Sequence, residues 1–265
     1  MSRVAIVAAL EREVRSLVKS WRVSEREVDG RHFRFFEKDD VVLVCGGIGS
    51  QAARRAAEAV IALYAPAVVY SAGFAGALDP GLKVGDILQP RRVVNAGDGS
   101  SVTLGGGEGV LVSFGSVASP EQKAKLRDSF AAQAVDMEAS AVARAAEVRG
   151  VKFAVVKVIS DEFDFSFSSI FPSMEHFVDA NGLFLEGRFA WFAALRPWLW
   201  PRVARLARNS RRASRALCDW LTRDGLRTMN ADSTSTPTST PTPTSTPTST
   251  STSPDAPTLQ AVIRR

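Results

Sequence analysis

Short β-branched runs alternate with stretches of helical periodicity from Met1 to about Gly182, the pattern of a three-layer α/β domain. Apolar runs predict strands at 4–9, 33–37, 41–45, 67–72, 86–89, 110–113, 134–136 and 153–159. Residues 50–64 place Ala53, Ala57, Val60, Ile61 and Tyr64 on one helical face, and Pro66 ends that stretch. A second helix is predicted over 137–148, opened by Asp136 as its cap. Residues 89–108 are rich in Gly, Ser and Asn and read as a loop.

The pattern changes near residue 184, which divides the chain into a body (1–184), a basic, Trp-rich amphipathic helical segment (185–225) and a Ser/Thr/Pro-rich tail (226–265). The middle segment reads as two helical pieces hinged at Pro197 and Pro201. The tail lacks the apolar residues that would offset its ordering entropy and is expected to be disordered. The net charge of +5 is distributed unevenly: residues 188–223 hold nine arginines and one acid, Asp219, so the body is mildly acidic. Basic residues are sparse around the glycine clusters of the body, which argues against nucleic-acid binding.

With 265 residues and 45% hydrophobic content the chain can bury a sizeable core. Two cysteines, Cys45 and Cys218, make no disulfide framework, and with only two histidines they are too few for a metal cage. The apolar run 4–10 leads straight into Glu11, Arg12 and Glu13 and does not fit a secretion signal. No window reaches the roughly 18 apolar residues of a membrane span. A cytoplasmic protein is expected, with no metal or organic cofactor.

Three places combine glycines or acids with predicted strand ends. The first strand runs into Glu13, which suits work on a water molecule at the sheet edge and equally suits an acidic first helical turn. Glycine clusters follow two strands: Gly46-Gly47-Ile48-Gly49-Ser50, and Gly73-Phe74-Ala75-Gly76, read as a turn. Both permit close approach to a ribose or phosphate, or simply a tight strand-to-helix turn; neither is a complete dinucleotide fingerprint or P-loop. The third place is Asp136-Met137-Glu138 at a helix start, with Ser160-Asp161 at the end of an apolar strand. Carboxylates at neighbouring strand ends suit an enzyme that donates a proton and holds hydroxyls or water; singly, each also fits a cap.

The series AALEREV, GGIGSQAARRAAEAVI, SAGFAGALDPGLKVGDIL and AVDMEASAVARAAEVRGVKFAVVKVISD, spread over residues 3–164, resembles the purine nucleoside phosphorylase and nucleosidase superfamily, specifically its methylthioadenosine and adenosylhomocysteine nucleosidase branch. The resemblance implies a three-layer fold with a central mixed β-sheet flanked by helices, and hydrolysis of the N-glycosidic bond of a 5′-modified adenosine to release adenine. It assigns Asp161 to protonation of the purine, Glu13 to the attacking water, and Glu138, with Met137 beside it, to the ribose hydroxyls. Gly49, Gly73, Phe74, Val117 and Ser160 fall at positions expected to contact substrate, and Val117 matches where the family grips adenine through backbone groups. A homodimer is implied as well.

Departures from the family pattern separate its subclasses. Phosphorylases hold phosphate with arginines and a serine, whereas this chain has Ser71 and Phe74 at two of those places, and Arg12 is the one obvious substitute. Water is therefore the expected nucleophile. The link between Asp86 and Val110 is shorter than in typical nucleosidases, and the Arg/Trp-rich extension is expected to lack a counterpart in them. That extension is similar to the hopanoid-associated phosphorylase family, which makes an adenosylhopane-type lipid the alternative substrate. A phosphate-dependent purine nucleoside phosphorylase and an inactive nucleoside-binding or membrane-associated protein are further alternatives. Trp191, Trp198, Trp200 and Trp220 among nine arginines fit peripheral binding at the inner face of a membrane, or a terminal helix packed on the body. Phe163, Phe165, Phe167 and Phe171 fit a pocket for the 5′-group or ordinary core.

Overall fold

The computed structural model describes residues 3–167, 170, 174–179 and 182–225; Phe171 and the expected disordered tail at 226–265 lie outside them. Eleven strands form one mixed sheet. They are β1 (Val4–Ala8), β2 (Arg22–Val28), β3 (Arg31–Lys38), β4 (Val41–Cys45), β5 (Val68–Ala77), β6 (Ile87–Leu88), β7 (Arg92–Asn95), β8 (Ser101–Thr103), β9 (Val110–Ser113), β10 (Ala134–Asp136) and β11 (Lys152–Asp161). The helices are α1 (Glu11–Val18), α2 (Ser50–Tyr64), α3 (Pro120–Phe130), α4 (Ala139–Val148), α5 (Glu186–Ala194) and α6 (Trp200–Trp220).

The sheet order is β2-β3-β4-β1-β5-β10-β9-β7-β8, with β11 pairing β5 and β6. β5 is the hub: it runs parallel to β1 at its start and to β11 along most of its length, and antiparallel to β10 at its end. Strand alternation sends β1 side chains to two layers. Val4, Ile6 and Ala8 pack with Val14 and Val18 of α1 and with Ala213 and Leu217 of α6. Ala5 and Val7 pack with Ala53, Ala57 and Val60 of α2 and Val142 and Ala145 of α4. These two apolar sets make the three-layer architecture read from the sequence.

Local chemistry sets the element ends. α2 occupies the predicted span, with Ala53, Ala57, Val60 and Ile61 of the predicted face buried and Tyr64 half-buried, and stops at Ala65 in the left-handed region, one residue before Pro66. α3 begins with a capping box between Ser119 and Gln122 and carries Pro120 in its first turn. α4 starts at Ala139 rather than 137, so its N-cap is Glu138 and not Asp136 as expected; Asp136, two residues earlier, accepts from the Ala139 amide at 2.8 Å. Beyond α5, a short 3-10 turn at Pro197–Leu199 and Pro201 in the first turn of α6 make the expected break between two helices.

Three expectations are corrected. The Gly73–Gly76 cluster is not a turn: β5 continues through it to Ala77. Residues 89–108 are not all loop, since β7 and β8 form an antiparallel pair inside them. β2 was unforeseen because RVSEREV carries few apolar positions and forms the exposed edge of the sheet. As for the C-terminal helices, α6 buries Ala213, Leu217 and Cys218 in the layer that holds α1, and full burial of a leucine such as Leu217 is worth about 2 kcal/mol. Among the described residues no helix is long and apolar enough to cross a membrane.

Candidate active site

The carboxyl-terminal ends of β1, β5, β10 and β11 open onto a cavity of about 590 Å³, the edge at which open α/β sheets bind ligands. Glu13, Glu138 and Asp161 all line it, although they lie far apart in sequence and on different elements. Met137, Gly73, Phe74, Val117 and Ser160 line it too. Gly49 is not among the lining residues; its amide instead donates to Glu138 Oε1 at 2.8 Å. Its place is thus to orient the carboxylate expected to hold the ribose.

Each acid has a distinct environment. Glu13, in the first turn of α1, is buried, and its Oε2 has no hydrogen-bond partner among the described residues. Burial, followed by the charge of Glu138, pushes its carboxyl up to about 8, against the pull of Lys157 and Arg12. Glu138 sits at the start of α4, and its Oε2 accepts from the Met137 amide at 3.3 Å. Desolvation raises its pKa, with Lys157 pulling the other way. Asp161, the last residue of β11, accepts from Ser160 Oγ on Oδ1 at 2.8 Å and from Lys123 Nζ on Oδ2 at 2.5 Å.

Two glycines of β5 explain how carboxylates reach the main chain. A Cβ at Gly73 would lie 2.8 Å from Glu13 Oε2, and one at Gly76 would lie 2.8 Å from Asp161 Oδ2. Both distances are below contact, so side chains there would displace the acids. What comes closest to these two glycines is the protein's own acid pair.

Two buried lysines were not found from the sequence. Lys157 on β11 pairs with Asp136 Oδ2 at 2.9 Å, both side chains nearly inaccessible. Burial lowers the Lys157 pKa, but Asp136 and Glu138 outweigh it and the net shift is upward. Asp136 is saturated by Ser113 Oγ at 2.6 Å and the Ala139 amide, so it organises the site rather than entering it as a free acid. Lys123 on α3 pairs with Asp161 and also donates to the Glu162 carbonyl at 2.8 Å. A lysine among the mixed charges of α3 gives no spacing signal for a partner 38 residues away.

The remaining wall comes from the C-terminal helices and the segment before them. Phe167, Phe184, Phe189, Val203 and Leu206 supply apolar surface, and Arg211 and Arg215 join Arg12 at the cavity. Arg12 stacks over Phe184 at 4.6 Å. Ser214 Oγ lies 3.0 Å from the Glu13 carbonyl, to which it donates, so α6 holds the main chain that carries Glu13. Phe165 belongs to a small aromatic cluster with Ile170 and Phe177 instead of the cavity wall.

A model of the phosphorylase superfamily matches residues 3–112 and 107–169. The 5′-methylthioadenosine/S-adenosylhomocysteine nucleosidase of Staphylococcus epidermidis is 29% identical over 197 residues, which is 60% of this chain and 86% of that protein. The nucleosidase of that name from Neisseria meningitidis, solved with methylthio-immucillin-A, is similar at a TM-score of 0.55 and 25% identity, covering 62% of this chain and 87% of that one. The Helicobacter pylori nucleosidase solved with butyl-thio-DADMe-Immucillin-A shares the fold at a TM-score of 0.59 and 19% identity, covering 88% of this chain and 99% of that one.

Proposed function

This chain belongs to the phosphorylase superfamily, and from that premise we propose that it hydrolyses the N-glycosidic bond of a 5′-modified adenosine, releasing adenine. The observation that carries the proposal is the convergence of Glu13, Glu138 and Asp161 on one cavity, with an unpartnered Glu13 oxygen inside the protein. Cleavage passes through an oxocarbenium-like sugar, which needs nearby negative charge and a purine that leaves neutral. In this reading the C1′–N9 electron pair moves into the purine, which takes a proton at the Asp161 end. A water oxygen bonds to C1′ and gives its proton to the Glu13 carboxylate. Glu138, steadied by the Gly49 and Met137 amides, receives the ribose hydroxyls, while Met137, Phe74 and Val117 pack on the nucleoside.

The apolar wall of Phe167, Phe184, Phe189, Val203 and Leu206 suits the 5′-group of methylthioadenosine or adenosylhomocysteine. Purified protein is expected to release adenine from methylthioadenosine at the same rate with and without inorganic phosphate. Adenine production that requires phosphate would instead assign Arg12, Arg211 and Arg215 to an anionic nucleophile and make the enzyme a phosphorylase.

A second reading, an adenosylhopane-type lipid substrate taken at a membrane, is favoured by one observation. The helices that build the apolar wall, together with the turn between them, also expose Trp191 (69%), Trp198 (68%) and Trp200 (56%). Tryptophans beside arginines favour the interface of an anionic leaflet, which makes the protein cytoplasmic and peripheral. Vesicles containing phosphatidylserine are expected to float the full chain, and a Trp191→Ser, Trp198→Ser, Trp200→Ser variant is expected to stay behind. Equal flotation of the two would remove the membrane contact. The three substitutions spare Ala213 and Leu217, which pack α6 into the core. Assembly as a homodimer completes the proposal.

A further inference from the structure

Asp161 is asked to give a proton, yet its surroundings are those of an acceptor. Both carboxyl oxygens receive donors, Ser160 Oγ on Oδ1 and Lys123 Nζ on Oδ2. The ammonium and carboxylate are 2% and 6% exposed, so water does not screen the pair. Both oxygens of Asp161 thus act as acceptors, and a purine ring nitrogen placed against them would be an acceptor too. The nearest transferable proton is on Lys123 Nζ, and Lys123 itself lines the cavity.

We propose that Lys123 is the positioning residue and proton source for departure of the base, with Asp161 relaying the proton. The step balances. An Nζ–H bond of Lys123 breaks as a proton passes across Asp161 to the purine, the C1′–N9 pair enters the purine ring, and Asp161 ends as the carboxylate it began as. Lys123 is left as a neutral amine. The proton that Glu13 takes from water restores the total, and its return to the amine through the emptied cavity closes the cycle. The second buried lysine, Lys157, pairs with Asp136, whose Oδ2 also accepts the main-chain amide that opens α4.

The inference rests on the nucleosidase reading and has its own pH signature. An ammonium keeps its protons through the neutral range, whereas a carboxyl alone gives its proton up as pH rises. The charged groups around the pair are few. Glu162 follows Asp161, and its carboxylate faces Arg205 of α6 at 3.3 Å. Arg127 of α3 stacks over Phe163 at 5.2 Å. Lys157 lies on the same strand, and Glu13 and Glu138 line the same cavity. None of these is removed by substitution at Lys123, so each is present in wild type and variant alike.

The test measures kcat/KM for methylthioadenosine from pH 5 to pH 9 in wild type, Lys123→Met and Lys123→Gln. The glutamine variant can retain a hydrogen bond to Asp161 and keeps the experiment interpretable if the methionine variant does not fold. The wild-type to variant ratio is expected to rise at least about tenfold across this range, with the loss in kcat rather than KM. A ratio constant with pH, whether activity is lost or kept, would reduce Lys123 to a structural counter-ion and overturn the inference. Absence of adenine release from wild type would instead overturn the nucleosidase reading itself.

Discussion

Replacing Asp161 by Asn is expected to lower kcat for adenine release by about 10³-fold, the order that a positioned acid contributes. Asn has nearly the same shape and still accepts from Ser160, but it cannot relay a proton. Affinity for a substrate analogue, followed by calorimetry, should change by no more than about threefold, because the proton is needed in the transition state and not for binding. The variant also leaves the Lys123 ammonium buried without its counter-charge. Breaking a buried pair on one side typically costs about 3 kcal/mol or more, so a lower Tm should accompany the lost turnover. Turnover within tenfold of wild type would remove Asp161 from the chemistry.

Glu13→Gln is expected to reduce kcat by about 10²–10³-fold, since an amide cannot take the water's proton. The same change should stabilise the fold in alkaline solution. The Glu13 carboxyl is raised to about 8 by burial and by Glu138, whereas in the unfolded chain it returns to 4.5. Between those values the unfolded chain has released the proton and the folded protein still holds it, so stability falls as pH rises. Wild-type stability from this group is fully present below about pH 4.5 and is lost by the time pH has passed 8. Gln removes that dependence. The Tm difference in favour of the variant should therefore be small in acid and widen towards pH 8, where the underlying stability difference is on the order of a few kcal/mol. Wild-type kcat/KM should rise towards pH 8 as the Glu13 carboxylate forms. A Tm difference independent of pH would contradict the assignment of a proton to buried Glu13.

Much of this fold is legible where one residue's environment is set by its near neighbours. α2 reads directly from its alternation of small apolar and charged positions, and β4, β9 and β10 from short apolar runs. The edge hairpin of β7 and β8 is hidden because its strands are short and part of its surface is exposed, leaving little apolar pattern. β5 misleads for a different reason. Its glycines signal a turn by local propensity, but they are present because two distant acids need the space.

The site divides along the same line. Glu13, Glu138 and Asp161 stand at strand or helix ends that periodicity can locate, and the order of their motifs adds the rest. Lys123 and Lys157 resist reading because a buried lysine is justified only by its partner, and the partners come from other elements. The contribution of α6 is equally hidden. Its arginines dominate the composition, while the small residues Ala213, Ser214 and Cys218 make the junction with the body, including the Ser214 contact to the Glu13 carbonyl.

The two bare positions of β5 turn that strand into a caliper. Gly73 and Gly76 are three residues apart, roughly 10 Å of extended chain, and a carboxyl tip rests on each. The span between the jaws is thereby cut into the backbone and does not depend on how side chains happen to swing. A side chain at either glycine would displace the acid that rests there, so the spacing of the two carboxyl tips along β5 is kept by the main chain.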